Sequence, residues 1–230
     1  MKMIVKAIVW DLDGTLINFK IDSLKARRAV VKLLKERGVS REYFRTQKST
    51  FDIINNSLEI LTELGLKQEE IEKTIANVNN AVVEIEERAA LDASLITGIE
   101  KVLEFVEQVG IKQAIFTFNT FRNAKISLEK ADILHYFEII AGRDNVAHLK
   151  PHPDHLNYIC EVLKVKPSDI IVIGDSSKDV EAALNVGAKS IGIKTPISRV
   201  FQDELFEKAN SIIPLDGIPL KLIEELQKIL

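Results

Sequence analysis

The chain has 230 residues and 46% apolar content, enough to fill the core of one large domain or of a domain carrying an insertion. A net charge of −3 leaves no basic excess for nucleic acid or an anionic membrane, and the one cysteine excludes an internal disulfide. No apolar stretch approaches the roughly 20 residues of a membrane span, and Met1-Lys2-Met3 leads into an apolar strand rather than a cleavable signal, so a cytoplasmic protein is expected.

The first predicted element is Val5-Lys6-Ala7-Ile8-Val9-Trp10, an apolar run that reads as a strand buried on both faces of a parallel sheet. It runs out into Asp11-Leu12-Asp13-Gly14-Thr15, two carboxylates at a glycine turn. Parallel sheets place ligands in the crevice beyond the strands' carboxyl ends, and Asp11 and Asp13 belong there. Two acids so close repel unless a cation, a lysine or a shared proton relieves them.

Far more chain separates Asp11 from the next polar strand end, Thr117, than one crossover between parallel strands needs. The excess reads as helices. Ala26, Ala29, Val30, Leu33 and Leu34 form one stripe closed by Gly38; Ile54, Leu58 and Leu61 form another ending near Gly65; Ile71, Ile75, Val78, Val82, Ile85 and Ala89 form a long third. A helical cap over residues 20–92 is expected, hinged near 18–20 and 93–98, with 1–19 and 93–230 as the core domain. The third stripe is read as bundle core, with a dimer seam as the alternative.

From Thr97 onward strands and helices alternate. Thr97 and Glu100 suggest a capping box before Ile99, Val102, Leu103 and Val106. Then come a strand over 114–118, a helix to Lys130, a strand over 137–141 and a helix with Leu156, Ile159, Cys160 and Leu163 on one face, which makes Cys160 a core residue. A strand over 170–173, a helix from Lys178 to Val186 closed by Gly187, a strand over 190–193 and a last helix through Leu220, Ile223, Leu226 and Leu230 complete the series. Such alternation predicts an α/β fold with a doubly wound parallel sheet, Rossmann-like in plan.

Chemistry-bearing residues recur at these strand ends. Gly174-Asp175-Ser176-Ser177-Lys178-Asp179 follows the strand over 170–173, with Asp179 in the first turn of the next helix, and Lys150 sits in the proline-flanked Lys150-Pro151-His152-Pro153. A carboxylate nucleophile, hard oxygen ligands for Mg²⁺ and donors for phosphoryl oxygens are what phosphoryl transfer through a covalent intermediate requires.

Asp11-Leu12-Asp13-Gly14-Thr15, Thr117, Lys150 and Gly174-Asp175-Ser176-Ser177-Lys178-Asp179 match in order the four motifs of haloacid dehalogenase superfamily phosphatases, which the chain resembles over nearly its whole length. In general layout it is similar to phosphoglycolate phosphatases. The resemblance implies Mg²⁺-dependent hydrolysis of a small phosphorylated metabolite. Asp11 would be the nucleophile, and Asp13 the acid and then the base. Asp11, the Asp13 backbone carbonyl and Asp175 would hold Mg²⁺. Thr117 and Lys150 would bind the phosphoryl oxygens, while Thr15 fixes Asp11 and Asp179 orients Lys150 and a metal-bound water. An acid at position 13 favours phosphate chemistry over dehalogenation. Asn is common after the second-motif Thr, but here Phe118 intervenes; Asn119 is expected to reach the phosphate by capping the helix that begins near Thr120. A sugar phosphomutase and a non-catalytic regulatory or binding scaffold remain as alternatives, and the protein would be a monomer or homodimer.

Other features read plainly. His148, His152 and His155 crowd around Lys150, but no Cys accompanies them and the carboxylates already define a hard-ligand site. Arg41, Arg45 and Lys48, interleaved with Tyr43 and Phe44, read as a solvated surface, with contact to an anionic leaving group as the second reading.

Overall fold

The structure is a computed structural model that describes residues 5–18, 22–47, 50–196 and 203–230. The chain divides into two compact units, Met1–Phe19 with Ala90–Leu230, and Lys20–Ala89.

The first unit holds a six-stranded sheet whose strands are all parallel. In chain order these are β1 (Ala7–Trp10), β4 (Lys112–Phe116), β5 (Ile139–Ala141), β6 (Ile170–Gly174), β7 (Lys189–Lys194) and β8 (Ser211–Pro214); in space they lie β5-β4-β1-β6-β7-β8. The chain winds outward from β1 through β4 and β5, then returns to the other side of β1. Trp10 lies beside Ile115 on one flank and Ile173 on the other. All four β1 residues are buried, because helices cover both faces. Alternate residues serve the two faces. Ile8, Trp10, Ile115, Ile171 and Ile173 pack with residues of α6 (Ile99–Gln108), α7 (Phe121–Lys130) and α10 (Leu220–Ile229). Ala7, Val9, Ala114, Phe116 and Val172 pack with α8 (Pro153–Leu163) and α9 (Ser177–Val186), and Cys160 is part of this second core. Burial lifts the Cys160 thiol to a pKa of about 11, so it stays protonated and apolar in character.

Two features of this unit are absent from the sequence pattern. The two-residue strands β2 (Ile17–Asn18) and β3 (Ser94–Leu95) pair antiparallel, Asn18 opposite Ser94, at lengths too short for any periodicity. The edge strand β8 also goes unread, since its pattern ends in Pro214. The expected capping box is not formed. Gly98, at φ 86°, takes the N-cap position of α6, and its left-handed backbone leaves Thr97 one residue too early to cap. Leu220 is exposed rather than part of the α10 stripe, which is carried by Leu222 and Leu226.

The second unit is helical, comprising α1 (Ser23–Lys35), α2 (Arg41–Thr46), α3 (Thr50–Asn55), α4 (Ser57–Glu63) and α5 (Gln68–Leu91), whose last residues fall in the first unit. Its separate core gathers Val30, Leu34, Phe44, Ile53, Leu61, Ile71, Val78 and Val82, so the α5 stripe serves the bundle. Gly38 and Gly65 close α1 and α4 at φ 90° and 75°. The stripe through Ile54, Leu58 and Leu61 is broken. A one-residue interruption at Asn56 re-phases α4 so that Ile53 and Leu61 are buried while Leu58 is 52% exposed. The segment with Arg41 and Arg45 is a helix, seated by Phe44 and by Arg27, which donates to the Phe44 and Gln47 carbonyls at 2.8 and 3.1 Å. Arg41 and Arg45 are exposed; Lys48 lies outside the described residues.

Candidate active site

The carboxyl ends of β1, β4 and β6, three neighbours in the sheet, bring Asp11, Thr117 and Asp175 together. Asp11 prolongs β1 by donating its backbone N–H to the Ile173 carbonyl at 2.8 Å, which aims its buried side chain beyond the strand ends. Gly14 follows at φ 85°, a conformation costly for other residues, and a Cβ there would sit 2.5 Å from an Asp175 oxygen. The first and fourth motifs touch at that point. Thr15 is buried, with its hydroxyl 3.4 Å from Asp11 Oδ2, at the long limit of a hydrogen bond.

Lys150 is the hub. Its ammonium is buried, donates to Asp11 Oδ1, to Asp179 Oδ1 at 2.8 Å and to the Phe116 carbonyl at 3.3 Å, and so uses its three hydrogens. The rings of Phe116 and Phe118 lie 4.2 and 5.0 Å from it. Burial alone would neutralise such a lysine, but Asp11 and Asp179 hold its pKa above the ordinary value. Asp179, in the first turn of α9, is fixed from the other side. Its Oδ2 accepts the Ser176 backbone N–H at 2.9 Å and the Ser176 hydroxyl at 2.6 Å.

The carboxylates outnumber their cation. Burial raises Asp11 to about 6 against the pull of Lys150, and Asp179 adds to the rise. Asp175 is pushed up to about 8 by burial first and by Asp11 and Asp179 next, against the pull of Lys150. Oxygens of Asp11, Asp175 and Asp179 lie within 4.8 Å of one another. An all-oxygen, mutually repelling set of this kind suits a hard dication such as Mg²⁺, whose charge would relieve the repulsion.

Thr117 is buried, with its backbone N–H donated to the Ala141 carbonyl at 3.0 Å and its Oγ accepting the Asn119 backbone N–H at 3.1 Å. Asn119 does not cap α7. Thr120 does, its hydroxyl accepting the Asn123 N–H at 3.2 Å, because Thr120 holds the extended backbone an N-cap needs. The Asn119 amide instead donates to Asp13 Oδ2 at 2.8 Å.

His155 is a residue whose part the sequence reading missed. Its Nε2–H donates to the Ala141 carbonyl at 2.9 Å, its Nδ1 accepts the Lys150 backbone N–H at 3.3 Å, and burial lowers its pKa to about 4, so the neutral ring braces the lysine loop. The signal available was its place five residues after Lys150 on the apolar face of a helix. His148 and His152 are exposed and both lie against Asp154, at 2.7 and 3.3 Å. A cavity of about 890 Å³ lined by Val5, Lys6, Ile111, Lys112, Leu163 and Lys164 opens at the opposite, amino ends of the strands, far from all the predicted site residues.

A sequence model described as haloacid dehalogenase-like hydrolase matches residues 8–193. A phosphoglycolate phosphatase of Vibrio parahaemolyticus is 29% identical over 82% of this chain and 83% of its own length. Among solved structures, β-phosphoglucomutase of Clostridium difficile aligns with a TM-score of 0.67 at 21% identity over 96% of each chain. A hydrolase from Pseudomonas syringae aligns at 0.66 and 21% over 98% of this chain and 99% of that one.

Proposed function

Because the chain belongs to the haloacid dehalogenase-like hydrolases, we propose that this phosphatase hydrolyses small phosphomonoesters with Mg²⁺ through an aspartyl-phosphate on Asp11. The observation that carries the reading is the buried Lys150 tied to both Asp11 and Asp179 at the carboxyl end of the sheet. An unreactive scaffold has no use for so costly a buried charge cluster, since hydrophobic replacement is often neutral or stabilising.

In the first step a carboxylate oxygen of Asp11 bonds to phosphorus, the bond from phosphorus to the ester oxygen breaks with its electron pair on that oxygen, and the Asp13 proton passes to it to give the free alcohol. In the second, water attacks phosphorus and yields a proton to Asp13. The Asp11–phosphorus bond breaks, inorganic phosphate leaves, and both aspartates return to their starting states. Thr117 holds phosphoryl oxygens, and so does Lys150 by giving up its bond to the Phe116 carbonyl, the longest of its three at 3.3 Å, while Thr15 and Asp179 steady Asp11 and Lys150. Asp11, the Asp13 carbonyl and Asp175 would hold Mg²⁺, which would supply positive charge against the phosphoryl oxygens.

A small phosphorylated metabolite is the proposed partner, with the protein acting as a monomer or homodimer in the cytoplasm. Among the described residues no helix is long and apolar enough to cross a membrane. The relatives named phosphoglycolate phosphatase make a phosphorylated hydroxy acid the first substrate to assay. The likeness to a β-phosphoglucomutase keeps a second reading in play, in which the same aspartates return the phosphoryl group to a sugar. A screen of phosphorylated metabolites for phosphate release, with Mg²⁺ and no bisphosphate activator, separates the two. Release under those conditions supports the hydrolase; activity only with an activator supports the mutase; full activity after exhaustive chelation overturns the metal-dependent reading.

A further inference from the structure

Asn119 stands where its backbone has little freedom. Its N–H is given to Thr117 Oγ, its carbonyl accepts the Arg143 N–H at 2.8 Å, and the residue is buried. The intervening Phe118 turns its ring toward two ammonium groups, Lys150 and Lys178, each 5.0 Å away. With the turn after β4 pinned on both sides, the Asn119 amide is committed to a direction, and it reaches across to Asp13 Oδ2 at 2.8 Å. Because β4 is paired directly with β1, the loops that follow them are neighbours, and this hydrogen bond joins them.

We propose that Asn119 is a positioning residue for Asp13: its amide holds one carboxyl oxygen so that the other faces the leaving oxygen of the substrate. This rests on the assignment of Asp13 as the proton donor. A neutral donor suits the task. An amide fixes orientation without adding charge to the cluster. The role differs from phosphate binding in what it does to substrates. Orientation of an acid matters for an alkoxide leaving group, which cannot depart unprotonated, and matters little for a nitrophenolate, which can.

The test compares an alkyl phosphomonoester with p-nitrophenyl phosphate through kcat/KM, which covers only the steps up to aspartyl-phosphate formation. In Asn119→Ala and in the isosteric Asn119→Asp, kcat/KM for the alkyl ester is expected to fall about 10- to 100-fold. The loss on p-nitrophenyl phosphate should be at least about tenfold smaller, with inhibition by inorganic phosphate unchanged. In an Asp13→Ala background, Asn119→Ala should add less than about a twofold further loss on the alkyl ester, because the two residues act as a unit. Equal losses on both substrates together with weaker phosphate inhibition would overturn the proposal in favour of phosphate binding. No loss on either would show the hydrogen bond to be idle. If Asp13→Ala itself fails to discriminate between leaving groups, the proton-donor assignment falls and this inference with it. Discrimination by Asp13→Ala but not by either Asn119 variant overturns the inference alone.

Discussion

Asp11 sits between a strand, a lysine and a metal-suited cluster, and its replacement separates chemistry from fold. Asp11→Asn keeps the shape while removing the proposed attacking carboxylate, so turnover should drop by several orders of magnitude with the far-ultraviolet circular dichroism unchanged. Retention of a tenth of the activity would rule out the covalent route. Asp13 and Asp175 should come apart under calorimetry. Asp13→Ala keeps its backbone carbonyl and is expected to bind Mg²⁺ while losing turnover, whereas Asp175→Ala removes a proposed carboxylate ligand and should lose affinity as well. Asp11, Asp175 and Asp179 are legible in sequence because each ends an apolar run or opens the helix behind one, and Lys150 because Pro151 and Pro153 stiffen the segment that follows it. The partner of Asn119 is not legible. It lies 106 positions away, and no local pattern states which way an amide turns. Likewise His155 reads as one of three clustered histidines until burial separates it from the exposed pair.

At the scale of elements, the strand ends impose a pH dependence on the metal-free fold. The raised pKa values of Asp175, about 8, and Asp11, about 6, mean that the native state holds these protons more tightly than the unfolded chain, whose carboxyls titrate near 3.8. Stability from this source therefore falls as pH rises from about 3.8 to the native values and is flat above them. His155 works the other way. Its native pKa of about 4 against 6.5 unfolded makes stability climb between those values, and its effect is complete above them. Above about pH 6.5, where the His155 contribution is complete, Asp175 alone still titrates, so the chelated protein is expected to lose melting temperature from there up to about pH 8. Asp175→Asn should flatten that descent, as should saturating Mg²⁺ in the wild type. A flat profile in the chelated wild type would contradict the crowding of carboxylates described above. The strands and long helices here follow from periodicity, as with Ile71, Val78 and Val82 on α5. Where elements are short or re-phased, as at β2, β3 and Asn56, backbone geometry decides and periodicity is silent.

At the scale of the molecule, two units with separate cores share one chain. A helical insertion placed just after the nucleophile motif is proposed to limit the leaving group, so small phosphomonoesters should show far higher kcat/KM than phosphoproteins. The hypothesis is lost if the intact protein prefers a folded phosphoprotein to every small ester tested.

The pairing of Asn18 with Ser94 has a further consequence for how such a chain is assembled. The two ends of the excursion are held side by side by the core's own backbone, so from the sheet's point of view the inserted helices occupy a hairpin loop. Closing a loop depends only weakly on its length. Closure of the core by this pair is therefore expected to depend little on what fills the gap. Replacing residues 20–89 by a short Gly/Ser linker should accordingly leave a folded, Mg²⁺-binding core that has lost its preference for small esters, read by melting temperature and by the ratio of the two kcat/KM values.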